Sequence, residues 1–181
     1  MEKILVAAAV ATILLASGTS AQSFAFVSKR GTKCLAATNG RVTGAACVGN
    51  APQLAETDFS FSRFGGVGLR LGGECLRRVG RELQVAPCSA ADADEAFHID
   101  SATLAISTAA GAKVCIDLGN EWRAGQPVSL APCSGVPSQK WLAATLSAAA
   151  GSGRVLPNDT VVEVRSGDSI RLSNGQFLVV K

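Results

Sequence analysis

The 181-residue chain has no tyrosine, two tryptophans and a single histidine. Flat aromatic surfaces for stacking against a ligand are therefore scarce. One histidine leaves too few nitrogen ligands for a Cys/His zinc site, and there is no Cys-x-x-Cys pair to start one. That histidine, His98, follows Phe97 in a strand-like run and reads as a surface or satisfied structural side chain rather than a base. Asp92 and Asp94 are close together on an Ala-rich loop and read as solvated. Glycoside hydrolysis would instead need two carboxylates facing across a cleft. Gly65-Gly66-Val67-Gly68 is too short, and in the wrong context, for a phosphate loop. No catalytic residues, metal or cofactor are expected. Charge is also sparse and diffuse: the formal net charge is +3, and Arg77-Arg78 with Arg81 form a small local basic cluster. That pattern argues against a nucleic-acid partner.

Long hydrophobic runs are missing but for one. Ile4 to Leu15 is apolar, follows Lys3 and precedes small residues from Ala16 to Ala21. Its length and flanks read as a signal peptide over residues 1–21, with a cut near Ala21 and Gln22. The run is too short to span a membrane comfortably, and no charged stop follows it. No membrane insertion is expected after cleavage. The expected destination is secreted or periplasmic, and residues 22–181 suffice for one domain with a core.

What the sequence does have is six cysteines in a repeat. Cys34-Leu35, Cys75-Leu76 and Cys115-Ile116 open three units, with first cysteines 41 and 40 residues apart, and Cys47, Cys88 and Cys133 close them. A fixed period of this size means one supersecondary unit repeated. An even count in an exported chain reads as a disulfide framework. Many pairings are open in principle, but each unit carries its own pair. The repeat therefore predicts Cys34–Cys47, Cys75–Cys88 and Cys115–Cys133, and leaves no thiolate nucleophile.

The chain reads as all-β. Leu69-Arg70-Leu71, Leu83-Gln84-Val85 and Val128-Ser129-Leu130 are short period-two runs between turn residues. The Ala-rich stretch 101–112 lacks a sustained helical period and reads as strand and turn. Each unit offers about four strands, and an aromatic follows the second cysteine after a polar loop: Phe59, Phe97 or Trp141. After Ala148-Ala149-Ala150-Gly151-Ser152-Gly153, which reads as a linker, a β-rich tail completes 147–181. Its strand-like pieces are Val161–Val164, Ser169–Leu172 and Phe177–Val180. The tail resembles the start of a fourth unit, with Phe177 in the place of a cysteine, or matches one by chance. Asn158-Asp159-Thr160 is a glycosylation sequon.

Cys-Leu or Cys-Ile, a second Cys after a hairpin, and Gln139-Lys140-Trp141 together resemble a ricin-type lectin domain, whose signature is Gln-x-Trp. The resemblance covers roughly residues 24–146. It implies a β-trefoil over 22–146 with units near 24–62, 63–100 and 101–146. Glu95-Ala96-Phe97 and Thr57-Asp58-Phe59 are read as degraded copies of the signature. Three such units packed about a pseudo-threefold axis close a barrel and hide most sheet edges. Phe59, Phe97 and Trp141 are then expected in the shared core, and Gln139 as a brace of the loop backbone.

The resemblance also implies a sugar partner. The family's usual ligand carboxylate is an Asp two residues after the first cysteine, suited to accepting two strong hydrogen bonds. Unit three has Asp117 there, whereas units two and one have Arg77 and Ala36, so one site at most is expected to work. The expected sugar-binding set is Asp117, Asn120, Trp122, Ser138 and Gln139, with Trp122 stacking from the longer hairpin Gly119–Gly125. The alternatives are an Asp117 that caps its own turn and a Trp122 folded over the barrel rim. The expected protein is a monomeric carbohydrate-binding module. Its rival is a non-catalytic structural or protein-interaction module on a lectin-like scaffold that has lost sugar binding.

Overall fold

The computed structural model describes residues 24–29, 33–48, 50–119, 123, 125–147, 167, 169–171 and 177–180. The segment 1–21 expected as a signal peptide, the expected linker, the sequon and the piece Val161–Val164 lie outside the described residues. Unit one holds β1 (Phe24–Ser28), β2 (Lys33–Thr38), β3 (Arg41–Ala46) and β4 (Ala55–Asp58). Unit two holds β5 (Val67–Leu71), β6 (Glu74–Val79), β7 (Glu82–Ala86) and β8 (Ala96–Asp100). Unit three holds β9 (Ala105–Thr108), β10 (Val114–Asp117), a third strand broken into β11 (Gln126–Pro127) and β12 (Ser129–Pro132), and β13 (Trp141–Ser147). The tail adds β14 (Ser169–Arg171) and β15 (Phe177–Val180).

The first and last strands of each unit form a closed barrel. β1 pairs with β4, β4 with β5, β5 with β8 and β8 with β9. A bridge from Ala105 to Lys140 and the pairing of β13 with β1 complete the ring. The middle strands form three hairpins: β2 with β3, β6 with β7, and β10 with β12. Contacts of β3 with β7, β7 with β12 and β11 with β3 join these hairpins into a cap. Closure removes the barrel's edges, the usual weakness of a sheet. Local chemistry sets the tight turns. Asn39 and Gly40 both have positive φ, as a two-residue hairpin of type I′ requires, while Gly80 alone does so in the second hairpin.

The core repeats the threefold pattern. Val27, Arg70 and Ser107 lie opposite Cys34, Cys75 and Cys115, which fixes the correspondence between units. In that frame Phe26, Leu69 and Ile106 are equivalent, as are Leu35, Leu76 and Ile116, and Val42, Leu83 and Val128. All nine are buried in one cluster with Ala55, Phe97 and Trp141. Period-two alternation supplies this layer, because every second residue of each strand faces inward. Three disulfides, one in each unit, join the strands as the repeat implied: Cys34–Cys47, Cys75–Cys88 and Cys115–Cys133.

Unit one departs from expectation. Phe97 and Trp141 are buried, but Phe59 is 71% exposed and is not a core residue. The counterpart of Gln139-Lys140-Trp141 is Gln53-Leu54-Ala55, so Ala55 takes the aromatic's place. The lost volume is supplied from elsewhere. Phe26 is larger than its equivalents Leu69 and Ile106. Leu118 lies against Gly44, where any Cβ would collide with it. The tail also enters the sheet: β15 pairs with the outer edge of β13 from Ala144 to Ser147, and β14 pairs with β15.

Candidate functional site

In unit three the strand pattern delivers three consecutive side chains to three tasks. Cys115 closes the disulfide, Ile116 enters the core, and Asp117 stands half-exposed at the end of β10. Asp117 is held from two sides. Its Oδ1 accepts a hydrogen bond from the Gly119 N–H at 2.7 Å, and its Oδ2 accepts one from Gln139 Nε2 at 3.0 Å. The first closes an Asx turn, which Gly119 with its positive φ accommodates. An ionised carboxylate offers about four lone-pair sites. Among the described residues two are used, on a half-exposed side chain held in a fixed position.

Gln139 is almost fully buried, at 1% exposed, and works as a clamp. Its Oε1 accepts from the Ser134 N–H at 2.8 Å, and its Nε2 donates to the Pro132 carbonyl at 3.0 Å as well as to Asp117. The same device recurs in unit one: Gln53 Oε1 accepts from the Val48 N–H at 2.7 Å, and Nε2 donates to the Ala46 carbonyl at 2.6 Å. In unit two Glu95 accepts from the Ser89 N–H at 2.8 Å. Each clamp thus grips the backbone directly after its unit's second cysteine. In unit three the clamp's amide also donates to a carboxylate, that of Asp117.

The equivalent positions elsewhere carry different chemistry. Ala36 is buried and has no polar group. Arg77 is an acceptor-free cation, and it forms an ion pair with Asp92, Nε to Oδ2 at 3.0 Å. Next to it, Arg78 pairs with Asp94 through Nε at 2.8 Å. The two aspartates of that loop are therefore partners of arginines.

Of the residues expected to contact a ligand, the structure brings Asp117, Gln139 and Ser138 together. Ser138 is 3% exposed and accepts from the Leu118 N–H through its carbonyl at 3.1 Å. Ser138 and Gln139 lie buried beneath Asp117, and Gln139 braces the loop backbone as expected of it while also holding the carboxylate. Burial for bracing leaves their side chains no open face. Asn120 and Trp122 lie outside the described residues. Trp141 Nε1 donates to the Ile116 carbonyl at 3.0 Å, fixing the backbone one residue before Asp117. Sequence reading missed Gln53 because it aligned unit one on an aromatic. The offset from the second cysteine would have found it: Gln53 is six residues after Cys47, as Gln139 is after Cys133.

The sequence matches the family model for the ricin-type β-trefoil lectin domain over residues 22–141. The chain belongs to that family. Among solved structures it is similar to the C-half of an earthworm R-type lectin determined with GalNAc. That match has a TM-score of 0.57 at 15% identity, covering 67% of this chain and 97% of the other. It is also similar to the Macrolepiota procera ricin B-like lectin determined with lactose. Here the TM-score is 0.56 at 15% identity, with 69% and 96% covered. The designed threefold-symmetric protein ThreeFoil matches with a TM-score of 0.57 at 17% identity, covering 67% and 96%. No curated protein matches the sequence. At these identities the solved structures speak for the trefoil fold alone. Among the described residues no helix is long and apolar enough to cross a membrane, and no three His, Cys, Asp or Glu side chains gather to hold a metal ion.

Proposed function

We propose that the protein is an exported, non-catalytic carbohydrate-binding module in which one of the three repeat positions works as a sugar site, the third, at Asp117. One observation carries this reading. Asp117 is the only carboxylate two residues after a unit's first cysteine, and among the described residues Gln139 and the Gly119 N–H hold it with acceptor capacity to spare. A pre-positioned carboxylate can take hydrogen bonds from two neighbouring sugar hydroxyls without losing rotamer entropy on binding. The GalNAc and lactose bound by the earthworm and Macrolepiota lectins support a sugar as the ligand class. Three disulfides fit an oxidising compartment, secreted or periplasmic.

The rival, a protein-interaction scaffold that has lost sugar binding, draws on units one and two. Ala36 offers nothing to a hydroxyl, and Arg77 is engaged by Asp92. A glycan array of the chain beside its Asp117→Ala variant separates the two. Binding that disappears in the variant supports the lectin reading. An array without any binding by the parent chain supports the scaffold.

A further inference from the structure

A groove of about 480 Å³ opens at the seam between units one and two, on the face that carries Phe59. We infer that it is a second carbohydrate site, one that accepts a neutral pyranose with Phe59 as its stacking platform. It is built from other residues than the Asp117 site and stands independently of it.

Phe59-Ser60-Phe61-Ser62-Arg63-Phe64 forms a 3-10 helix. Such a helix has about three residues per turn, so side chains three apart share a face. Phe61 and Phe64 share one, and both pack inward against Cys75 and Ala96. Phe59 and Ser62 share another, and both line the groove. The exposure of Phe59 is therefore a consequence of how its neighbours are anchored. The segment is fixed at both ends as well. Asp58 accepts from the Ser60 N–H at 3.0 Å, and the Gly65 N–H donates to the Ser62 carbonyl at 2.8 Å.

The opposite wall comes from β4 and β8. Thr57, His98 and Ile99 line it. The last three residues of β8 are exposed, because β5 pairs with β8 only as far as Phe97. The His98 ring makes no hydrogen bond to any described residue, so its nitrogens are available.

The lining selects a ligand class. Among the described residues no Lys, Arg, Asp or Glu lines the groove, so phosphates, carboxylates and cations find no counter-charge there. One exposed aromatic face lies among two hydroxyls and an imidazole. A neutral pyranose matches that mixture, with an apolar ring face for Phe59 and hydroxyls for Thr57, Ser62 and His98. The volume falls in the usual range of about 300–1,000 Å³ for small-molecule sites.

His98 is the only histidine in the chain, so its ring signals are an unambiguous NMR reporter. The test uses the full chain carrying Asp117→Ala, titrated separately with lactose, N-acetylgalactosamine and cellotriose. We expect at least one sugar to shift the His98 ring signals saturably. We expect adding Phe59→Ala to weaken that binding at least tenfold while leaving the rest of the spectrum folded. Unmoved His98 signals with all three sugars overturn the inference, as does a shift that survives Phe59→Ala. Signals that move with protein concentration alone also overturn it and identify the face as a self-association surface. The Asp117 proposal is judged on other variants, so either site can fail without the other.

Discussion

Replacing Trp141 by alanine tests how the barrel and the candidate site are joined. Trp141 is 3% exposed, lies in the shared core and donates its indole N–H to the Ile116 carbonyl at 3.0 Å. Trp-to-Ala truncation in a packed core costs about 3–5 kcal/mol through lost burial and the remaining cavity. A buried carbonyl left without its donor adds roughly 1–3 kcal/mol where the site cannot relax. We therefore expect a loss of about 4–8 kcal/mol, a large share of the roughly 5–15 kcal/mol that holds a domain together. Trp141→Phe keeps one aromatic ring but loses the N–H and part of the indole's volume, so a smaller loss of about 2–3 kcal/mol is expected. Urea titration with disulfides intact, followed by circular dichroism, measures both. Phe59→Ala is the control: with the ring 71% exposed, it should cost less than about 1 kcal/mol. A Trp141→Ala protein within about 1 kcal/mol of the parent, or a Phe59→Ala protein as damaged as Trp141→Ala, would refute the core assignment.

The remaining predictions concern the framework, the tail and acid. Removing the Cys75–Cys88 bridge as a double alanine variant should cost about 3 kcal/mol by chemical denaturation, as expected for a loop of this length. A 22–146 fragment should keep its closed barrel and its three disulfides but self-associate in sedimentation experiments, because losing β15 bares the edge of β13 from Ala144 onward; a molten fragment would show that the tail is part of the fold. The Ser60 hydroxyl and N–H, together with Arg70, hold the Asp58 carboxyl below its ordinary value near 3.8. Because the folded protein resists protonating Asp58, its stabilising effect is present above that value and is lost as pH falls through the lowered one. The stability gap between the parent and Asp58→Asn should therefore be constant from pH 7 to 5 and narrow below pH ~3.8.

Much of this was legible in the cysteines. Their period fixes the units, each unit's pair of cysteines fixes its hairpin, and apolar alternation fixes which side of each strand faces the axis. These signals survive because closing a barrel leaves little freedom once the hairpins are tied. What was not legible turns on substitutions that compensate through space. Ala55 stands where the other units carry an aromatic, in a core where Phe26 is larger than its equivalents and Leu118 fills the space above Gly44. No local pattern announces that exchange, so unit one was aligned on Phe59. The site divides in the same way. Asp117 was found by its offset from Cys115. The burial of Ser138 and Gln139 depends on how Pro137–Gln139 packs beneath β10, which spacing does not encode. The Phe59 groove was hidden for a further reason: its two walls come from segments about 40 residues apart in the chain.

The central claim is a sugar site in the third unit governed by Asp117. Titration calorimetry on the chain without its leader, using a sugar chosen from the array, tests it most directly. Asp117→Asn removes the charge and can turn a donor toward Gln139 Nε2, itself a donor at 3.0 Å. Charge-assisted hydrogen bonds of about 1.5–3 kcal/mol are at stake, so affinity should fall at least tenfold. The account predicts one Asp117-dependent site per chain, weakened in this way by Asp117→Asn and unchanged by Arg77→Ala. Affinity that is insensitive to Asp117→Asn but reduced by Arg77→Ala would contradict it.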